Sequence, residues 1–152
     1  MNIFNSYNDM FRLNNWCRNT NDPNFSLAKL ENYDEVKLAN IEYCYEPILV
    51  VEAWCLGFFN SWSQSDDSRC FSCEYGVIEV IHQPECFSIV ITTKGGSLKK
   101  EVLYLNEIQN LWYFMTGCEL DISPKYNYLS EVPILSDYIA GMPRPMNNKS
   151  KE

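Results

Sequence analysis

The chain has 152 residues, 46% of them hydrophobic, which is enough for one domain with its own core and does not call for a second. Its formal net charge of -8 at pH 7 and its pI of about 4.6 argue against a nucleic-acid or anionic-membrane binder, because such partners are held by basic surface that releases counterions. Seven cysteines, at positions 17, 44, 55, 70, 73, 86 and 118, form an odd, irregularly spaced set, five of them beside aromatic residues; this fits buried free thiols in a reducing compartment better than a disulfide framework.

From the N-terminus, Ile3, Phe4, Tyr7, Met10 and Phe11 recur at helical spacing and predict a short amphipathic helix. The same stretch lacks the basic n-region and continuous apolar run of a signal peptide. Asn14, Asn15, Asn19, Asn21, Asp22 and Pro23 then form a loop of turn-favouring residues. Ser26 offers an N-cap for a second helix carrying Leu27, Leu30 and Tyr33, which Asp34 and Glu35 extend or end. Leu38 to Glu46 shifts to alternation, with Ile41, Tyr43 and Tyr45 against Glu42, Cys44 and Glu46, the pattern of an edge strand. After Pro47, the residues Ile48, Val51, Cys55, Phe58 and Trp62 fall on one helical stripe. Val50 and Val51 would suit a strand equally, but the run is longer than a typical strand and Pro47 is allowed at a helix start. Glu52 interrupts this apolar run, which is too short to span a bilayer, so a cytoplasmic protein is expected.

Ser63 to Cys70 reads as a polar loop. Cys73 to Thr93 then predicts a β-hairpin, with Tyr75, Val77 and Ile81 on one face of its first strand and Ile78 and Val80 on the other. His82 to Glu85 makes the turn, where Pro84 costs no ladder bond, and Phe87, Ile89 and Ile91 resume the inward set. Gly95-Gly96 closes the second strand, and Leu98–Leu105 and Leu111–Met115 read as two further strands of a meander. A last helix is expected from an N-cap at Ser130, with Val132, Leu135 and Ile139 buried and Gly141 as its stop. The fold expected is α+β: a single domain over residues 1–141, built on an antiparallel four- to five-stranded sheet with helices packed on one face, followed by a flexible tail over 142–152.

Few residues suggest chemistry. Cys70, Cys73, His82 and Cys86 have the residue types of a zinc set, but one extended strand over 73–82 would hold Cys73 and His82 about 30 Å apart, too far to share an ion. The Cys70–Cys73 pair precedes a strand, whereas redox cysteines are activated at a helix N-terminus. His82 is the single histidine, so any Cys-His or Ser-His mechanism must use it, with Cys86 as the nearby nucleophile; no nucleophile elbow accompanies the pair. Gly95-Gly96 lacks the spacing of a phosphate loop. Trp54, Phe58, Phe59 and Trp62 suit either a ligand-stacking box or a core. No cofactor or metal is expected, and the protein is not expected to be an enzyme.

Charge is more informative. From Glu31 to Glu85 the acids, among them Glu42, Glu46, Glu52, Asp66, Asp67, Glu74 and Glu79, face only Lys37 and Arg69. A solvated acidic face is one explanation, and a patch complementary to a basic protein is the other. The stretch CEYGVIEVIHQPECFSIVITTKGGSL, with the Trp- and Phe-rich segment before it and NLWYF and LSEVPILSDYI after it, resembles a family of small immunity proteins from bacterial polymorphic toxin and contact-dependent inhibition systems. In that family an aromatic helix leads to an acidic loop, a Tyr-Gly-Ile strand, an Asp-Asn-Pro-Gly-Trp turn and a second strand. Here Tyr75, Gly76 and Val77 match the first strand, Pro84 the turn, and Phe87 the Trp position with one residue inserted; His82-Gln83 replaces Asp-Asn and the turn glycine is absent.

The resemblance spans roughly residues 48 to 140. It implies a cytoplasmic immunity protein, monomeric or weakly dimeric, that binds a cognate basic toxin domain, a nuclease being one candidate, and has no nucleic-acid or membrane partner. The partner-binding residues expected are Asp66, Asp67, Glu74 and Glu85, with Phe71 as an exposed aromatic anchor. An acidic adaptor for another basic protein is the alternative, and a small Cys/His-dependent enzyme a third.

Overall fold

A computed structural model describes residues 11–41 and 44–132. The expected tail, and the expected terminal helices except for Phe11 and residues 130–132, lie outside the described residues. Five strands form an antiparallel meander in sequence order: β4 (Ser63–Ser65), β5 (Ser68–Cys73), β6 (Gly76–His82), β7 (Phe87–Thr93) and β8 (Gly96–Val102). Three shorter strands, β1 (Trp16–Asn19), β2 (Leu27–Lys29) and β3 (Tyr45–Pro47), form a second antiparallel sheet in the order β2-β1-β3. The α-helices among the described residues are α1 (Tyr33–Ile41), α2 (Val50–Cys55) and α3 (Leu105–Thr116). The class is α+β, with α2 and α3 against one face of the five-stranded sheet.

The central hairpin is the one its alternating β-branched residues predict. Ile78 lies opposite Ile91, Val80 opposite Ile89 and His82 opposite Phe87, so these side chains share one face. Ile78, Val80, Ile89 and Ile91 are fully buried there, whereas Tyr75 and Val77 are exposed. The first strand begins at Gly76, because Glu74 and Tyr75 form the turn from β5. A Cβ at position 76 would lie 2.7 Å from the Thr92 carbonyl oxygen, so the close approach of β7 requires glycine.

Five expectations are corrected. The polar stretch Ser63–Cys70 is a hairpin, with Asp66-Asp67 as its two-residue connection. Its pairing is reinforced by a Ser65–Ser68 hydroxyl contact of 2.6 Å and by the Arg69 guanidinium, which donates to the carbonyls of Ser65 and Ser68. The helix expected after Ser26 is strand β2. The helix starts later, where the Asn32 side chain accepts from the Glu35 N–H (2.9 Å), and it continues through Ile41 over part of the expected edge strand, leaving only Tyr45–Pro47 extended.

The strand expected over Leu111–Met115 is the second half of α3. Leu105, Ile108 and Trp112 are buried at helical spacing, and the Glu107 carboxylate accepts from the N–H groups of Leu103 and Tyr104. Gly117, at φ 76°, ends the helix. Finally, α2 does not run to Trp62. It stops at a Schellman arrangement in which Phe58 N–H donates to Ala53 O and Gly57 N–H to Trp54 O, with Gly57 at φ +83°. A Cβ on Gly57 would also meet Lys125 Cβ at 2.7 Å. Gly57→Ala is therefore expected to cost about 1–3 kcal/mol, read as a lower urea midpoint at unchanged slope.

The main core is formed by α2, the turn after it, the inner sheet face and α3, with Trp54, Phe58, Phe59, Trp62, Leu105, Ile108 and Trp112 buried. Phe11, Cys17, Leu30 and Ala39 form a second cluster beneath the small sheet. The fully buried Ile48 and the isolated Leu49–Tyr104 bridge fasten the start of α2 to the start of α3. On the other side of α3, Gln109 accepts from Trp16 N–H and donates to Asn14 O, each at 3.0 Å, tying the small sheet to the helix. Lys99 and Lys100 stand exposed on β8, which among the described residues pairs with β7 alone, and they charge an edge that would otherwise template further strands.

Candidate functional site

The expected partner-binding residues divide between the two ends of the large sheet. Asp66 and Asp67 occupy the β4–β5 turn. The Asp67 carbonyl accepts from His82 N–H at 2.7 Å, which brings this turn beside the β6–β7 connection that carries Glu85. All three side chains are exposed at this end. Glu74 is exposed in the β5–β6 turn, at the opposite end of the seven-residue strand β6, which at 3.3 Å per residue is about 20 Å away. Among the described residues, the ion pairs Arg12–Glu119 (2.6 Å) and Arg18–Glu52 (3.0 Å) use none of these four carboxylates.

Phe71 is not an exposed anchor. It lies opposite Ile78 on the inner face, with ring centroids 5.6 Å from Trp62 and 6.0 Å from Trp112, where it packs against the core. Strand parity is the reason: on β5 the inward positions are Arg69 and Phe71, and Ser72 points to the open face.

Beneath the acidic end lies a layer of rings. The Arg69 guanidinium sits 4.1 Å from the Trp54 ring centroid, and His82 packs against both Trp54 (5.6 Å, edge-on) and Phe87 (4.7 Å, stacked), which also touch each other. Burial lowers the His82 pKa below its ordinary 6.5, with Arg69 adding to the shift and Asp67 opposing it. The folded imidazole thus resists a proton that the unfolded chain accepts. Its contribution to stability is complete above about pH 6.5 and is lost as pH falls through the lowered folded value. The urea midpoint of the wild type should therefore drop as pH falls below about 6.5, and the drop should shrink in His82→Phe, which has no imidazole to protonate.

The layer does not assemble a nucleophile. The Cys86 thiol donates to Gln83 Oε1 at 3.3 Å, and the same oxygen accepts from Ser88, so the cysteine is engaged within its own turn. Cys70 and Cys73 point to opposite faces of β5, and Cys73 lies at the far end of the sheet from His82. Burial pushes the thiols of Cys17 and Cys55 up to about 12, which suppresses the reactive thiolate. All seven cysteines are free; Cys17 and Cys55 are buried, Cys44 and Cys118 partly so, and Cys73 exposed. Among the described residues no group of three or more His, Cys, Asp or Glu side chains is placed to hold a metal ion.

The structure exposes aromatic residues that a strand reading of 111–115 hides. Phe114 is 85% exposed and Tyr113 41%, because helical geometry turns Phe114 directly away from the buried Leu105, Ile108 and Trp112. Tyr75, 49% exposed, lies near them: it lines a shallow hollow of about 470 Å³ with Glu74, Lys94, Met115 and Thr116. Helical spacing from Leu105 to Trp112 was the signal that would have found Phe114 on the outer face.

Comparison with protein-family models, with curated proteins and with solved structures finds no match to this chain. No helix among the described residues is long and apolar enough to cross a membrane.

Proposed function

We propose that this chain is a cytoplasmic immunity protein, a stoichiometric inhibitor that neutralises a basic toxin domain by binding it. The observation that carries the reading is the acidic end of the large sheet, where Asp66, Asp67 and Glu85 project from two adjacent turns. Those turns are held by the ring layer below, so the carboxylates are presented from a packed base, and a basic surface approaching them is steered by charge. The net charge of -8 extends that attraction over the whole molecule. The resemblance around Tyr75-Gly76-Val77 and Pro84 supplies the choice of a toxin over any other basic protein. Binding rather than catalysis is favoured because His82 is committed to ring stacking and Cys86 to Gln83.

The test is to co-produce the chain with the toxin domain encoded directly upstream of its gene. Restored growth and a one-to-one complex on gel filtration are the expected results. If the toxin still kills and no complex forms, the inhibitor reading is wrong and the acidic adaptor takes its place.

A further inference from the structure

Beside the small sheet, a cleft of about 620 Å³ opens between β1, β3, the start of α2, the start of α3 and residues 128–130. This is the size of pocket that encloses small ligands or single side chains. Arg18, Phe25, Glu46, Glu52, Tyr104 and Tyr128 line it. We infer that it receives a guanidinium group, the side chain of an arginine on the basic partner.

The charge of the cleft argues for a cation. Its own cation is already committed: Arg18 donates to Glu52 Oε2 at 3.0 Å and to the Phe25 carbonyl at 2.8 Å. The other Glu52 oxygen accepts from Leu49 N–H at 3.3 Å. Glu46, opposite Arg18 in the β1–β3 register and exposed, is a second carboxylate in a cleft with one guanidinium, so the lining is net negative. An anionic ligand is disfavoured by that balance, and an aliphatic one would draw no attraction from Glu46.

The rings argue for a planar cation. Phe25, 51% exposed, together with the half-buried Tyr104 and Tyr128, lends aromatic surface to a wall that also carries a carboxylate; this combination suits guanidinium, which stacks on rings while its N–H fork meets an oxygen pair. Phe25 is held at φ +50°, a left-handed conformation that L side chains rarely adopt, fixed by the Arg18 bond to its carbonyl and by its own N–H bond to Asp22 O at 2.8 Å. Arg18 thus braces the cleft and leaves its mouth to another cation.

Position links the cleft to the acidic turns. Tyr104 follows two residues after the end of β8, where Val102 pairs with Phe87, the second residue after Glu85. A basic protein lying along that end of the sheet can place one arginine in the cleft. The identity of the partner rests on the function proposed above, whereas the chemistry of the cleft does not.

The test titrates the full chain, with its aromatic side chains labelled for NMR, with N-acetyl-arginine amide and separately with N-acetyl-citrulline amide, which keeps the shape and loses the charge. Arginine amide should shift the rings of Phe25, Tyr104 and Tyr128, with citrulline amide and the Glu46→Gln variant each weakening binding about threefold or more. Equal shifts from the two amides, or shifts confined to residues outside the cleft, would overturn the assignment. Arginine binding in the cleft with no protection from any toxin leaves the cleft standing and removes the proposed function. Undiminished toxin binding by Glu46→Gln, with no ring shifts, does the reverse.

Discussion

Trp54→Ala should destabilise the protein by about 3–5 kcal/mol, a large share of the 5–15 kcal/mol that holds a typical domain together. Trp54 is buried on α2 and touches three other rings, Phe59, His82 and Phe87, at centroid distances of 5.4 to 6.4 Å. Its indole face also carries the Arg69 guanidinium, itself buried, so truncation opens a cavity and strips a buried cation of its ring at the same time. The loss should appear in urea unfolding as a large fall in midpoint. Phe114→Ala is the control: the same class of truncation at a side chain 85% exposed should change stability by no more than about 0.5 kcal/mol. Comparable losses in the two variants would mean that the core is not layered around α2 as described.

How legible each element was depended on what encoded it. The β6–β7 hairpin was readable because its alternation is carried by β-branched residues with one face buried, so that pattern and burial agree. The β4–β5 hairpin was not, since Ser63, Gln64 and Ser65 are all exposed on a short edge strand and carry no hydrophobic period to detect. In α3 the local preference of Leu-Trp-Tyr-Phe pointed to a strand, and tertiary packing prevailed: Leu105, Ile108 and Trp112 bury together only as a helix. The helix after Pro47 was read from its stripe, but Gly57, which stops it, acts through a positive φ that periodicity does not register.

The site followed the same division. A polar loop made Asp66 and Asp67, and a hairpin turn Glu85, visible as exposed acids, because such connections face solvent. Their adjacency was hidden, since it depends on the β5–β6 register and the Asp67–His82 bond. Phe71 was misplaced for want of strand parity, and the cleft around Glu46 and Tyr104 joins residues far apart in the chain that no local pattern connects.

Reversing Asp66, Asp67 and Glu85 to lysine together should slow association with a basic partner by about tenfold or more at low salt, because exposed charge acts mainly on the diffusional encounter. The effect should shrink as salt is raised, and the variant's own association rate should depend less on salt than the wild type's, since the attraction being screened has been removed. The fold should tolerate the change. None of the three residues has a positive φ, so lysine can adopt their backbone, and neither of the ion pairs Arg12–Glu119 and Arg18–Glu52 includes them. Dissociation should change far less, because it is governed by the desolvated contacts at the centre of an interface. The exposed rings at the other end of the sheet make the comparison informative. Phe114→Ala or Tyr75→Ala alters no charge, so either variant should leave association intact, and a faster dissociation in one of them would extend the interface along α3. Binding kinetics at two salt concentrations, measured with the triple reversal and with Phe114→Ala, separate the outcomes. Unchanged association in the triple reversal would remove the acidic turns from the encounter surface.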